Sequence, residues 1–386
     1  MTADPARLTN TEPVSPRIPA GSRLLVTGGA GFVGSCYVRD VLARRDGTRI
    51  TVLDKLTYAG NRANLASVEA DPEQAARLRF VQGDIAEPGI VGPLVADADA
   101  VLNFAAESHV DRSILDPEAF LRTGVIGVHV LLEAVRAASA AATLVGRPPV
   151  RFLQVSTDEV YGSVPEGSST ETDRLDPRSP YSAAKAAGEL LVGSYVVTHG
   201  VDAVVTRGSN TYGPFHHPEK LIPLFVTNAI DDLPLPLYGD GMQRRDWLYV
   251  SDHAGAIDHV LRHGRSGETY NVPGSAEMTN RDVVAALLDR LGKPWTLVRS
   301  VPDRPGHDRR YALDGSKLAA TGWRNRTTFE DGLAATIDWF RDNEGWWRAA
   351  RSGDWDAYYE RQYGTRLAAG QAIGRHAGVA TPDAGR

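Results

Sequence analysis

Tyr181 and Lys185, four positions apart, are the residues of this chain best suited to moving a proton. At that spacing a phenol and an ammonium lie one turn apart on the same face of a helix. A phenol has an ordinary pKa near 10 and is a poor base at neutral pH. A neighbouring cation favours the phenolate, and bringing the pKa to about 7 takes roughly 4 kcal/mol of differential stabilisation. The Lys185 ammonium, joined by the positive ring of a bound nicotinamide, is expected to supply it. The chemistry expected is removal of a proton from a sugar hydroxyl while the carbon beneath it gives up hydride. With 13 tyrosines and five lysines in 386 residues, chance alone yields about 0.2 such pairs, so the motif needs support from upstream. Arg151 to Thr157 reads as a buried apolar strand that ends in a hydroxyl, followed by two adjacent acids, Asp158 and Glu159.

These groups must be held by a scaffold, and the scaffold is legible as alternating strands and helices. Arg23-Leu24-Leu25-Val26-Thr27 is a short apolar strand running into Gly28-Gly29-Ala30-Gly31-Phe32-Val33-Gly34 and then a helical stretch. This is a variant of the dinucleotide-binding glycine loop in its required setting. The glycines Gly28, Gly31 and Gly34 allow a tight turn and close approach of a pyrophosphate to the helix N-terminus. A second strand, 49–53, ends at Asp54, 20 residues past Gly34. A carboxylate there bonds ribose hydroxyls and repels a 2′-phosphate, so NAD is expected over NADP, with Lys55 an adjacent cation. A third strand, 79–85, carries Asp84 beside Ile85, suited to the adenine edge. A fourth, 100–106, ends in the small residues Ala105 and Ala106, followed by Ser108 and His109 at the carboxyl edge of a parallel sheet. The fold class expected is α/β: a Rossmann-type doubly wound parallel sheet with a smaller C-terminal substrate-binding domain. The boundaries read as a disordered extension over 1–20 and an NAD-binding domain over 21–207. A mainly sugar-nucleotide-binding domain with segments returning to the sheet covers 208–345, and a flexible tail covers 366–386.

Past residue 208 prolines become frequent, and loops carry arginines. Arg245, Arg304, Arg309 and Arg310 are expected to clamp a diphosphate. A formal net charge of -6 gives no overall basic field for nucleic acid or anionic membrane. No apolar run is expected to approach the ~18 residues of a membrane span. The single cysteine, Cys36, excludes an internal disulfide, reads as a small buried hydrophobe, and points to a reducing cytoplasm.

Together these stretches resemble the extended short-chain dehydrogenase/reductase superfamily and, within it, the dTDP-glucose 4,6-dehydratase family, over about Ser22 to Phe340. The narrow matches are 53–61, 105–113, 156–162, 218–223, 239–250 and 303–311, with Thr157-Asp158-Glu159 decisive, because epimerases of the superfamily need only the hydroxyl residue there. The resemblance implies that C4 of glucose is oxidised, water leaves across C5 and C6, and hydride returns to C6. It implies Tyr181 as base for the C4 hydroxyl with Lys185 lowering its pKa, Glu159 for the C5 proton, Asp158 for the departing C6 hydroxyl, and Thr157 bonded to O4. For NAD it implies Phe32, Val33, Asp54, Lys55, Leu56, Thr57, Asp84, Ile85, Ala105, Ala106, Ser108, Thr123, Tyr181 and Lys185. For a dTDP-sugar it implies His109, Thr157, Asn210, Lys220, Leu221, Pro236, Leu237, Tyr238, Arg245, Asn271, Asp303, Arg304 and His307. It implies no metal. Gly124, Thr211 and His217 depart from the family pattern. A homodimer is also implied, through helices near 117–140 and 181–198, with Leu131, Leu132, Val135, Leu190 and Leu191 as apolar faces. The rival readings are a sugar-nucleotide epimerase, a 4,6-dehydratase acting on a UDP-sugar, or a non-catalytic NAD sensor, and the last is disfavoured because the Tyr, the Lys and both acids are present.

Overall fold

The computed structural model describes residues 17–304, 306–352 and 354–375. Seven parallel strands form one sheet: β1 (Arg23–Thr27), β2 (Arg49–Asp54), β3 (Leu78–Gln82), β4 (Ala100–Asn103), β5 (Arg151–Thr157), β6 (Ala203–Gly208) and β7 (Thr269–Val272). Their order across the sheet is β7-β6-β5-β4-β1-β2-β3. Strand order therefore reverses between β1 and β4, which opens a crevice at their carboxyl ends. The residues alternate between two apolar layers, as a sheet covered on both faces requires. Leu24, Val26, Ile50, Val52, Leu102 and Leu153 face the layer of helices Phe32–Ala43 and Val250–His263. Leu25, Leu53, Val101 and Phe152 face the opposite layer, formed with Pro88–Ala96, Val128–Leu144 and Pro180–His199.

The C-terminal part has its own core, in which Tyr212, Phe225, Leu287, Phe329, Phe340 and Trp347 meet. Two three-stranded sheets frame it. One pairs Arg244–Tyr249 with Asn210–Tyr212 and Ala276–Thr279; the other pairs Val298–Val301 with Leu235–Tyr238 and Gln371–Ala372. Helix Val250–His263 and β7 return to the large sheet from within this part of the chain.

Three expectations need adjusting. Of the extension expected over 1–20, residues 1–16 lie outside the described residues, but Ile18 is buried and its carbonyl accepts from Arg262 at 2.6 Å. Of the tail expected over 366–386, residues 376–386 lie outside the described residues, whereas Gln371–Ala372 completes a sheet. The run Pro117–Leu144 is long and apolar enough to cross a membrane, with a mean hydropathy of 1.5 in its most apolar window. Its alanines raise that mean, while Val128, Leu131, Leu132 and Val135 sit in the core against the sheet. One face of the run packs against the sheet, while Leu121, Ile126 and Leu144 are exposed.

Within that run, Arg122–Gly127 is a π-helical turn, a distortion that re-aims side chains. It brings Thr123 to the cavity wall and Gly124 against helix Pro180–His199. A Cβ on Gly188 would lie 2.8 Å from the Gly124 carbonyl oxygen. Gly→Ala inside a helix ordinarily gains about 1 kcal/mol. Here the added methyl must push two helices apart, so Gly188→Ala is expected to destabilise by about 1–3 kcal/mol. A thermal melt checks the sign, and a raised Tm would contradict this contact.

Candidate active site

The carboxyl ends of β1, β2, β4, β5 and β6 surround a cavity of about 340 Å³. At one end lies the glycine loop. Gly28 has φ +69°, and a Cβ there would come within 2.6 Å of the Ala105 nitrogen; a Cβ on Gly34 would lie 2.3 Å from the Gly28 carbonyl oxygen. Only glycine leaves the floor of this cradle open. The Asp54 carboxylate accepts from the backbone N–H of Ala30 at 2.9 Å and of Leu56 at 2.8 Å, which ties it to the loop. Lys55, the cation adjacent to the ribose carboxylate, is paired with Asp84 at 2.9 Å. The donor set thus fits NAD: a cradle without Cβ atoms, a carboxylate at the ribose position and no uncommitted lysine beside it.

At the other end stand the groups of the expected chemistry. β5 is buried along its whole length and delivers Thr157, whose hydroxyl accepts from the Glu159 N–H at 3.3 Å and caps a short 3-10 turn, Asp158–Tyr161. Tyr181 and Lys185 project from helix Pro180–His199, which starts at a capping box of Ser179 and Ser182. Thr157, Asp158, Glu159, Tyr181 and Lys185 all line the cavity.

The electrostatics separate the two acids. Asp158 is buried and its pKa is driven well above the carboxylate range, first by loss of water and then by the charge of Glu159. Its Oδ1 accepts from Thr157 at 3.1 Å, whereas among the described residues Oδ2 has no hydrogen-bond partner. Glu159 is also raised by burial, but Arg304, Lys220 and Arg245 oppose the rise. One carboxyl is therefore poised to give a proton and its neighbour to take one. Tyr181 differs from expectation. Its pKa is raised, by burial and then by Glu159 and Asp158, with only the Thr157 hydroxyl pulling it down. The Lys185 ammonium is directed to the Val155 carbonyl at 2.9 Å, and burial lowers its own pKa to about 8 against the pull of Glu189. In this chain alone the lysine does not lower the phenol.

Every residue expected at the cofactor lines the cavity except Leu56, which holds Asp54 through its backbone at φ +57°. Of the residues expected at the sugar nucleotide, Thr157, Asn210, Lys220 and Leu221 line it. Arg304 and Arg245 lie just beyond and act on the Glu159 charge. His109 is buried beside Asp111, 4.0 Å away, its pKa lowered to about 4 chiefly by burial. Pro236, Leu237 and Tyr238 form a strand edge off the cavity, with Leu237 in the C-terminal core. Asp303 and His307 bond each other at 2.5 Å. Asn271 is not brought to the cavity. Its oxygen accepts from Tyr161 at 2.9 Å and its amide donates to the carbonyls of Ser169 and Asp314, a structural set of bonds. Arg309 and Arg310 leave the expected clamp as well, paired with Asp240 and Glu277 on the surface.

Sequence reasoning missed Glu107, His216 and His253 in the cavity wall, and Asp111 behind it. His216 stacks on Phe32 of the glycine loop, ring centroids 4.2 Å apart. Its only sequence signal was its place beside His217, because the contact joins positions far apart in the chain. Glu219, also missed, is a buried anion: burial opposes its charge, but His109, His217, Lys220 and Arg112 outweigh that and hold it at about 2.

Comparison with known proteins places the chain. A family model described as GDP-mannose 4,6 dehydratase matches residues 25–336. A dTDP-glucose 4,6-dehydratase of Streptomyces antibioticus is 53% identical over 330 residues, 84% of this chain and 94% of that one. Another, of Streptomyces niveus, is 50% identical over 337 residues, 86% of this chain and 96% of that one. The crystal structure of DesIV, a dTDP-glucose 4,6-dehydratase from Streptomyces venezuelae with NAD bound, matches with a TM-score of 0.79 at 50% identity, over 85% of this chain and 99% of that chain.

The chain belongs to the dTDP-glucose 4,6-dehydratase family. Its departures from that dehydratase pattern have local accommodations. The Thr211 hydroxyl meets Nδ1 of His253 at 2.8 Å. His217 sits edge-on to Tyr58, 5.7 Å between centroids, and near Trp355 at 5.8 Å. Gly124 has Ala184 above it, and a Cβ would meet that residue's methyl at 3.1 Å. None of the three replaces a member of the Thr157, Asp158, Glu159, Tyr181 and Lys185 set.

Proposed function

We propose that this protein is an NAD-dependent hydro-lyase converting dTDP-glucose to dTDP-4-keto-6-deoxyglucose. The observation that carries it is the adjacent acid pair in one cavity with the Tyr-Lys pair and a dinucleotide cradle. Bound NAD supplies the hydride acceptor for C4 and the hydride donor for C6. Every proton is handled by the chain itself. Tyr181 takes the C4 hydroxyl proton. Glu159, held near three cations, takes the C5 proton once the ketone has acidified it. Asp158, kept protonated by burial, gives its proton to the C6 hydroxyl so that it leaves as water; the proton on Glu159 then returns to C5 as C6 receives hydride, and the proton gained by Tyr181 balances the one lost by Asp158. Thr157 fixes O4. Arg245, Arg304 and Lys220 form the positive wall that suits a diphosphate.

The experiment is incubation of the purified protein with dTDP-glucose and, separately, UDP-glucose, with products identified by mass. Loss of one water from the dTDP-sugar is expected. An unchanged mass with an inverted hydroxyl would make the protein an epimerase.

The pH profile follows from the same assignments. Glu159 must be ionised, and its pKa is raised above the usual 4.5, so activity falls as pH drops through that raised value. Asp158 must be protonated, and burial drives its pKa well above the carboxylate range, so kcat/KM should be bell-shaped and fall again as pH rises through the Asp158 value, while Lys185, turned to the Val155 carbonyl, sets no limb. A profile with no alkaline fall would take the acid role away from Asp158.

The family's dimer belongs to the same proposal, on the two helices expected but only in part through the side chains expected. Leu131, Leu132 and Val135 are core residues. Leu190 and Val197 on helix Pro180–His199 are 68% and 85% exposed, and Leu121 and Ile126 on the neighbouring run are half exposed. These large apolar side chains suit a second copy. The double variant Leu190→Glu, Val197→Glu is expected to run as a monomer in size-exclusion chromatography with light scattering, and an unchanged dimer would move the interface elsewhere. The buried Cys36 thiol, raised to about 12 mainly by burial, fits the cytoplasmic location proposed with this activity.

A further inference from the structure

Residues 354–375 lie beyond the span matched by the family model, which ends at 336, yet they reach the substrate side of the cleft. Contacts from Trp355, Gln362 and Arg366 fix them there. Trp355 is buried and packs near His217 of the cavity wall, 5.8 Å between ring centroids. Further along, Gln362 donates to the Tyr238 hydroxyl at 2.8 Å and to Asp111 at 3.0 Å. Arg366 donates to the same hydroxyl at 2.7 Å and lies over the Tyr238 ring, 5.2 Å from its centroid. Asp111 also receives Tyr238 at 3.1 Å and, through its other oxygen, Arg304 at 3.3 Å. A hydrogen-bonded path therefore runs from Arg304 through Asp111 and Tyr238 to Arg366, and the Arg304 charge is felt at Glu159 beyond its near end.

The order of groups along that path matches the order of chemical parts in a nucleoside-diphosphate sugar. The hexose must meet Glu159, the diphosphate must meet the cation next to it, and the nucleoside must lie beyond. Asp111 is buried, and its two oxygens carry the guanidinium on one side and the phenol and amide on the other. That fixes Arg304 with its planar donors directed, instead of leaving a long side chain to be ordered by the ligand. Arg366 is only half-buried, and among the described residues no carboxylate partners its guanidinium. Its position beside an aromatic ring suits the anionic and carbonyl-bearing end of a nucleotide.

We propose that the C-terminal segment builds the far wall of the nucleotide subsite, with Arg366 as a binding and specificity residue and Gln362 and Asp111 as positioning residues for Tyr238 and Arg304. This rests on the reading of the cleft as a dTDP-sugar site. The test is titration of dTDP into NAD-loaded wild-type protein, Arg366→Ala and Arg366→Lys by calorimetry, with steady-state kinetics on dTDP-glucose. Arg366→Ala should weaken dTDP about tenfold, or 1.4 kcal/mol, and raise KM similarly while kcat moves by less than about twofold. Arg366→Lys should recover part of the affinity. Equal dTDP affinity and KM in wild type and Arg366→Ala, or a loss confined to kcat, would overturn the assignment while leaving the dehydratase reading intact. A wild type that does not bind dTDP would remove that reading, and this assignment with it.

Discussion

Glu159→Gln is expected to oxidise C4 and then stop. The amide keeps the shape of the carboxyl but cannot take the C5 proton, so the step after oxidation loses its base. General base removal costs on the order of 10²–10⁴-fold, and kcat for the 4-keto-6-deoxy product should fall by that amount. Because the first step does not use Glu159, the protein should accumulate bound reduced cofactor on mixing with dTDP-glucose, visible as the reduced-nicotinamide absorbance band. The substitution also removes a charge that raises both Asp158 and Tyr181, so proton loss from Tyr181 becomes easier and the burst should be no slower than in wild type. Near-normal dehydration by Glu159→Gln would take the base role away from this residue.

Tyr181→Phe is expected to remove the burst itself. In the chain alone this phenol is held protonated by burial and by two neighbouring carboxyls. At about 1.4 kcal/mol per unit, ionising it needs positive charge arriving with the cofactor, because Lys185 is turned to the Val155 carbonyl. Without the hydroxyl the proposed base for the C4 proton is gone, and turnover should fall ~10²–10⁴-fold. The decisive comparison is the double variant Tyr181→Phe, Glu159→Gln. It should show no accumulated reduced cofactor, since the earlier block dominates. Accumulation in the double variant would assign oxidation to another base.

What the sequence made legible was what is local along the chain. The strand, glycine loop and helix from Arg23 to Ala43, the acid at Asp54 and the Thr157-Asp158-Glu159 turn each carry their meaning in adjacent residues, and all came together at one crevice. The parallel sheet was legible because continuous apolar strands such as 151–157 occur where both faces are covered. Contacts between distant positions were not legible. Asn271 looks like a ligand residue in its motif, but its bonds to Tyr161 and Ser169 form only when the loop after the acid turn folds back onto β7. Arg309 and Arg310 share a sequence neighbourhood with Arg304, yet local geometry turns them to Asp240 and Glu277. Helical periodicity showed that Leu131, Leu132 and Val135 share an apolar face, but a pattern alone does not say whether that face meets a sheet or a partner. The direction of the Lys185 ammonium likewise depends on a carbonyl 30 residues upstream.

On the proposed route, hydride leaving C4 is kept and returned to C6 of the same sugar while water is expelled between them. The direct measurement is turnover of dTDP-glucose carrying deuterium on C4, with the product analysed by mass and by proton and deuterium NMR. The expected product lacks one water and carries the deuterium in its C6 methyl group. Deuterium retained at C4, or lost to solvent, would contradict it.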